Sequence, residues 1–348
     1  MKTMNFGIVG AGTGAGLIAS GLKLLEERGV AKLVAVSSAH KERAKKFAEK
    51  YGIKKWFACH REMFRESDID AVAVSTPHHL HFPITLDSIE YGLHVLVDKP
   101  IAINLREADE MISRARRAGV KLGVVHELRF GEGIQKIKAV IEDGFLGRLI
   151  MGEASVKWFR TEEYYKQSSW RGRWATEGGG ALINQAIHSI DLLIWFMGPI
   201  DELWATISTM THDIEVEDTA VATLKFKNEA LGVIQASTSI YPGFPNRVEI
   251  HGSDGTAIIE GDRVKSLLIK GERPFIDLGE KRLEVGTKPE GVPADLYAKL
   301  LIDFIDAIVE DREPLINGEE GRRALEVIRA IYRSSKERKP IRLPMKEF

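Results

Sequence analysis

A short apolar run, Asn5–Val9, ends in a glycine-rich turn that leads into an amphipathic stretch. Phe6–Gly16 reads Phe-Gly-Ile-Val-Gly-Ala-Gly-Thr-Gly-Ala-Gly. Gly10, Gly12 and Ala15 fit the pattern G-x-G-x-x-[GA], with Thr13 and Gly14 in the positions between. The pattern carries meaning only where a strand feeds a helix. Here it does, because Ile18, Leu22 and Leu25 follow at i, i+4, i+7 and give the next segment a buried stripe. Gly10 permits a tight turn, Gly12 lets the backbone approach a diphosphate, and Ala15 allows close helix–strand packing. The helix start adds free N–H groups and a positive dipole end. A dinucleotide-binding βαβ unit is the first expectation.

The pattern continues behind the turn. Lys32–Ser37, Ala71–Ser75, His94–Val97 and Lys121–Val125 are short apolar runs separated by helical stretches. That alternation predicts a doubly wound parallel sheet covered on both faces. Lys41–Tyr51 is charged on most sides and reads as a solvated surface helix. Later the pattern changes. Leu149–Trp158 reads as a strand and Ala181–Met197 as an apolar helix. Strand-like runs follow at Thr219–Lys227, Ala230–Ile240, Arg247–Gly252 and Thr256–Glu260. They predict an α+β domain with a large, mostly antiparallel open sheet, one face packed on helices. Leu300, Leu301, Phe304, Ile305 and Ile308 mark one late helix, and Leu325, Ile328 and Ile331 another. The expected domains are 1–124 for nucleotide and 125–348 for substrate and assembly.

Composition narrows the function classes. Lys+Arg is 49 against Asp+Glu 50, a formal net charge of -1, which argues against a nucleic-acid binder. The lone Cys59 excludes an intrachain disulfide and a Cys-based zinc cluster, and it suits a reducing cytoplasm. No apolar run reaches the ~18 residues needed to span a bilayer, and Phe6–Gly10 is too short for a signal-peptide core. His78, His79 and His81 match no common zinc spacing, so no metal is expected.

Three further segments carry chemistry. The second strand ends Val36-Ser37-Ser38-Ala39-His40-Lys41, without the Asp or Glu that holds the ribose hydroxyl of NAD. Ser37, Ser38, His40 and Lys41 would instead receive a 2′-phosphate, which favours NADP over NAD; the alternative is that Lys41 points to water and either cofactor binds. Val95–Pro100 places Lys99 at the carboxyl end of a central strand, where open α/β sheets bind ligands. Asn184, His188 and Asp191 form a polar stripe at i, i+4, i+7 on an otherwise apolar helix that opens with Gly178-Gly179-Gly180. Polar groups there need partners or a cavity. A core histidine paired with Asp191 is the plain alternative. The glycines suit either a close approach to ligand or simple packing. The aromatic loop Trp158–Trp174 fits sugar stacking and a subunit contact equally.

These motifs resemble the glucose-fructose oxidoreductase / inositol dehydrogenase / MocA (Gfo/Idh/MocA) family of NAD(P)-dependent sugar oxidoreductases. The resemblance rests on Gly10–Ala15, Ser75–His81, Gly92–Pro100 and Gly178–Asp191, and extends to Val216–Thr223 and Tyr241–Gly255. It implies an N-terminal Rossmann domain and hydride transfer between nicotinamide and a secondary alcohol of a sugar, cyclitol or nucleotide-sugar. It also implies that Lys99 and His188 are catalytic, meeting on one carbinol, and that the Lys99–Pro100 bond is cis. Thr76, Pro77 and Asp98 would lie by the cofactor, His81 by the cofactor or in the structural core, and Arg160, Tyr164 and Tyr165 by the substrate. The family's usual Glu-Lys-Pro is Asp98-Lys99-Pro100 here, and Asn184 stands where many members have Asp. Members often pair through the second-domain sheet, so a homodimer or homotetramer is expected. Two other activities remain open on the same fold, an NAD-dependent glycosidase and a non-catalytic nucleotide sensor.

Overall fold

The computed structural model describes residues 3–261, 263–272 and 293–345. In chain order, the first part carries β1 (Met4–Val9), α1 (Thr13–Glu27), β2 (Ala31–Ser37), α2 (Lys41–Tyr51), β3 (Lys55–Phe57), α3 (His60–Glu66), β4 (Ala71–Val74), α4 (His81–Glu90), β5 (His94–Val97), α5 (Leu105–Ala118) and β6 (Leu122–Val124). There follow α6 (Glu132–Glu142), β7 (Leu149–Lys157), α7 (Glu162–Lys166) and a π-helical turn (Ala181–Ala186) that runs into α8 (Ile187–Met197). The rest comprises β8 (Ile200–Ser208), β9 (Thr219–Phe226), β10 (Leu231–Ser237), β11 (Arg247–Gly252), β12 (Gly255–Glu260), β13 (Arg263–Ile269), α9 (Ala294–Val309), α10 (Gly318–Glu337) and β14 (Ile341–Arg342).

The chain forms two compact units. The first holds a six-stranded sheet in the order β3-β2-β1-β4-β5-β6. Every pairing in it is parallel, so the order reverses at β1/β4, the switch point of a doubly wound fold. β4 and most of β1 and β5 are buried, as parallel strands under helices on both faces must be. Ile18, Leu22 and Leu25 of α1 are buried as their spacing predicts. α2 buries only Ala44, Phe47 and Ala48, in keeping with its charge. Asn104 caps α5 by accepting from the Glu107 N–H at 2.9 Å, and Gly119 ends it in the left-handed region at φ 68°.

The compact units do not divide at a single point near the expected 124/125 boundary. The first unit runs on through Glu127 and takes back the later segment that ends at Arg322 and contains α9. α9 lies on α1, and the crossing depends on Gly21, where a Cβ would sit 2.8 Å from Tyr297 Cβ and 3.0 Å from Ala298 N.

The second unit holds an eight-stranded sheet in the order β13-β12-β11-β7-β10-β9-β8-β14. Only the β7–β10 pairing is parallel. In β9, Ala220, Ala222, Leu224 and Phe226 are buried while Val221, Thr223 and Lys225 face out. α8 covers the inner face, where Gly152 of β7 leaves room for Leu193 and Met197. A buried ion pair anchors α8. The Arg129 guanidinium donates to Asp191 at 2.8 and 2.6 Å and stacks 5.1 Å from the Trp195 ring centroid. Among the described residues, no helix is long and apolar enough to cross a membrane.

Candidate active site

In the first unit, three loops leave the carboxyl ends of the adjacent strands β1, β4 and β5. Gly10 sits at φ +118°, and a Cβ there would lie 1.9 Å from the Ser75 carbonyl oxygen. Only glycine lets the β1 and β4 loops approach this closely. Gly12 is the opposite case: a Cβ would meet nothing within 4 Å. It is also the N-cap of α1, with no side chain covering the first amides. Ala15 is fully buried. Open backbone at a helix N-terminus suits a diphosphate. Ser37 Oγ is buried with no hydrogen-bond partner, and the Gly10 N–H donates to the Ser37 carbonyl at 2.8 Å. These residues fit a dinucleotide. Ser38, His40 and Lys41 follow at the partly to fully exposed end of β2. The Lys41 ammonium lies 5.6 Å from the Trp56 ring centroid, so it is partly engaged at home.

Asp98 ties the loops together. Its Oδ2 accepts from Ser75 Oγ at 2.7 Å, its Oδ1 accepts from the Lys99 N–H at 2.9 Å, and Gly14 packs against it. The Lys99–Pro100 bond is cis, as the resemblance implies. His81 lies in the interior, one of the two places the resemblance allowed. It is fully buried, with Nδ1 2.7 Å from the Pro100 carbonyl and Nε2 3.0 Å from the Thr76 carbonyl. Burial pushes its imidazole down, so the neutral ring donates to one of these carbonyls. His81 braces Thr76 against the Lys99–Pro100 turn from inside.

In the second unit, the polar stripe falls where its spacing predicts, but it starts in a wider winding than expected. Asn184 lies in the π-helical turn and His188 in the first turn of α8. Both are half-buried. Such turns occur frequently at functional sites. Asn184 Nδ2 donates to Glu177 Oε1 and lies 3.4 Å from Tyr164 Oη. Two acceptors on that edge set the amide orientation and turn Oδ1 the other way. Gln185 Nε2 donates to the same Tyr164 oxygen at 2.8 Å. Asp191 is held by Arg129 one turn further along the same helix.

The predicted specificity residues separate. Tyr164 stays beside Asn184, with the Arg171 guanidinium 4.3 Å and the Arg160 guanidinium 5.3 Å from its ring centroid. Arg160 is buried between Trp158 and Tyr164 and donates to Gln185 Oε1 at 3.3 Å. Burial pushes its guanidinium below its ordinary value. Tyr165 is packed into the interior, its hydroxyl 2.9 Å from Thr238 Oγ1. It supports the loop from beneath.

Glu177 and Glu217 were not singled out from the sequence. Both are buried carboxylates in the midst of the Asn184 segment. The second sits in the Glu217-Asp218 pair just before the alternating strand β9, the one hint available beforehand. Among the described residues, no cluster of three His, Cys, Asp or Glu could hold a metal ion.

Comparison with known proteins agrees with this geometry. Residues 4–126 match the model of the oxidoreductase family with an NAD-binding Rossmann fold. Residues 134–258 match that of the GFO/IDH/MocA C-terminal domain. The WlbA dehydrogenase from Bordetella pertussis, solved with NADH and UDP-GlcNAcA, is 30% identical at a TM-score of 0.87, covering 99% of this chain and 100% of its own. Myo-inositol 2-dehydrogenase from Thermotoga maritima is 27% identical over 98% of both chains. The 1,5-anhydro-D-fructose reductase from Ensifer adhaerens is 29% identical over 83% of this chain and 84% of its own.

Proposed function

The chain belongs to the Gfo/Idh/MocA family of oxidoreductases, and on that premise we propose a reversible, NAD(H)-dependent oxidation of a secondary alcohol on a sugar, cyclitol or nucleotide-sugar. The observation that carries this reading is local to the first unit. The uncapped glycine turn after β1, Thr76-Pro77 after β4 and Asp98-Lys99 after β5 leave neighbouring strands on one edge and are bonded to one another. A lysine therefore stands beside the nucleotide turn.

Gly10, Gly12, Thr13, Gly14 and Ala15 would hold the diphosphate, Ser37 and Ser38 the ribose, and Thr76 and Pro77 the nicotinamide side. When bound, the nicotinamide supplies the hydride acceptor or donor. The remaining steps fall to side chains. His188 takes the hydroxyl proton, since an imidazole is a base matched to neutral pH. Lys99 stabilises the developing alkoxide, a role often worth about 3 kcal/mol. Asn184, oriented by Glu177 and Tyr164, fixes the substrate or the imidazole. Tyr164 and its stacked arginines offer a face and donors for a hydroxylated or carboxylated ring.

One observation favours NADP as an alternative cofactor: β2 ends in Ser37-Ser38 with no carboxylate. Titrating NADH and NADPH separately tests it, and at least tenfold tighter NADPH would establish that preference. The outward side of the second sheet exposes Met151, Trp204, Val221 and Leu231. This supports a homo-oligomer through that face, to be checked by light scattering. The lone Cys59 supports a cytoplasmic setting.

The test of function is absorbance at the reduced-nicotinamide band with polyols, aldoses and nucleotide-sugars. Net signal supports the dehydrogenase. Glycoside cleavage without net signal would replace it with the glycosidase, and bound cofactor with neither would replace it with the sensor.

A further inference from the structure

We infer that Glu217 is the positioning residue for Asn184 and His188, because this one buried residue accepts from the amides of three consecutive residues, Gly180 to Leu182, at the start of their helix. Its Oε2 accepts from the Gly180 N–H at 2.9 Å and its Oε1 from the Leu182 N–H at 2.8 Å. Its main-chain oxygen accepts from the Ala181 N–H at 3.0 Å. The π-helical turn has no N-cap side chain of its own, since Gly180 occupies that position. Helix starts leave orphan N–H donors that something must satisfy, and here Glu217 does so from the loop before β9. The link to the site is one bond further on. The Asn184 N–H donates to the Gly180 carbonyl at 3.1 Å, and His188 follows in the same helix.

The glycines are explained by the same contact. A Cβ at Gly180 would lie 2.0 Å from the Glu217 carbonyl oxygen, and one at Gly179 2.0 Å from the Tyr332 hydroxyl. Tyr332 in turn donates to Glu217 Oε1 at 3.0 Å. At these two positions the triple glycine admits Glu217 and Tyr332, not ligand. The inference rests on reading Asn184 and His188 as the catalytic pair of the second unit.

A buried carboxylate is a costly way to fill amides that a serine or aspartate cap would serve at a helix surface. Burial pushes Glu217 up to about 7, with the Gly180 and Leu182 amides and the Tyr332 hydroxyl opposing it. Arg329 and Glu177 face Tyr332 and complete the charged surroundings. The charged form accepts from both amides and the tyrosine. The protonated form must spend one oxygen as a donor and loosens the turn.

The experiment uses the full-length protein and its Glu217→Gln variant. Glutamine keeps the shape but presents an NH2 to one of the two amides. Losing a charge-assisted hydrogen bond implies about 10- to 100-fold faster hydrogen exchange in the peptide spanning residues 180–186, with the sheet strands unchanged. Turnover of whichever sugar the wild type oxidises should fall about 10-fold or more, with NADH affinity within about twofold. Unchanged exchange would overturn the inference, and so would faster exchange with unchanged turnover. If Glu217→Gln does not fold, the wild type and Tyr332→Phe decide the matter. Protection of the Gly180 and Leu182 amides, corrected for intrinsic rates, should drop as pH falls through about 7 in the wild type. In Tyr332→Phe, which lacks one opposing donor, the drop should come at higher pH. No drop, or the same midpoint in both, overturns the assignment. A wild type that oxidises no sugar would sink the proposed function alone, because the exchange result is read without substrate.

Discussion

Asn184→Asp replaces an amide by a carboxylate of the same shape, and the structure predicts that it destabilises this chain. Asn184 Nδ2 donates to Glu177 Oε1, and the Glu177 side chain is buried. Glu177 Oε2 already accepts from the Gly172 N–H at 2.5 Å, so the carboxylate cannot swing away freely. The substitution sets two carboxylates about 3 Å apart, where at an effective dielectric of ~20 they repel by about 5 kcal/mol. Such a pair keeps one proton between them. The folded state then binds a proton that the unfolded chain has released, so stability is lost as pH rises. The slope is about 1.4 kcal/mol per pH unit while the proton is retained, or about 4 kcal/mol between pH 5 and 8. For a unit of this size that corresponds to a fall in Tm about 8–16 °C larger at pH 8 than at pH 5. Thermal melts of wild type and variant at the two pH values measure it. Glu177→Gln together with Asn184→Asp returns a donor to the pair and should recover most of the loss. A Tm difference that is the same at both pH values, or no recovery in the double variant, would refute the reasoning.

Other expectations are as direct. Gly12→Ala should melt like the wild type, because its Cβ meets nothing, yet lose NADH affinity by at least about tenfold in a fluorescence titration through steric exclusion of the diphosphate. Gly10→Ala should fail at the level of folding, since its Cβ would overlap the Ser75 carbonyl; a native melt would show the turn to be looser than described. Arg129→Met strips the buried Asp191 of its guanidinium and should cost about 3–5 kcal/mol in urea unfolding, largely recovered by adding Asp191→Leu. Full stability in the single variant would show that the pair does not anchor α8.

Much of this was legible beforehand because periodicity reports on burial. The glycine turn, the long strands and α8 follow from which residues are apolar and at what spacing. β3 was not legible, being three residues at a sheet edge with no pattern of its own. The spacing of α9 says that one face is buried but not against what, so its return to α1 went unseen. The burial of His81 and Tyr165 and their bonds to backbone carbonyls and to a hydroxyl were not legible, because a histidine or tyrosine shows its partners only in the folded chain. Glu177 and Glu217 were missed for a related reason. A carboxylate reads as surface unless its partners are known, and the Gly180 amide that Glu217 holds lies 37 residues away.

The most direct measurement is single-turnover reduction of NAD+ by an active sugar in wild type, Lys99→Ala and His188→Ala, with NADH affinity measured on the same samples. Losses of at least about 100-fold are expected in each variant at near-native NADH affinity. Undiminished hydride transfer in either variant, or a loss explained wholly by weaker NADH binding, would contradict the catalytic roles of the two residues.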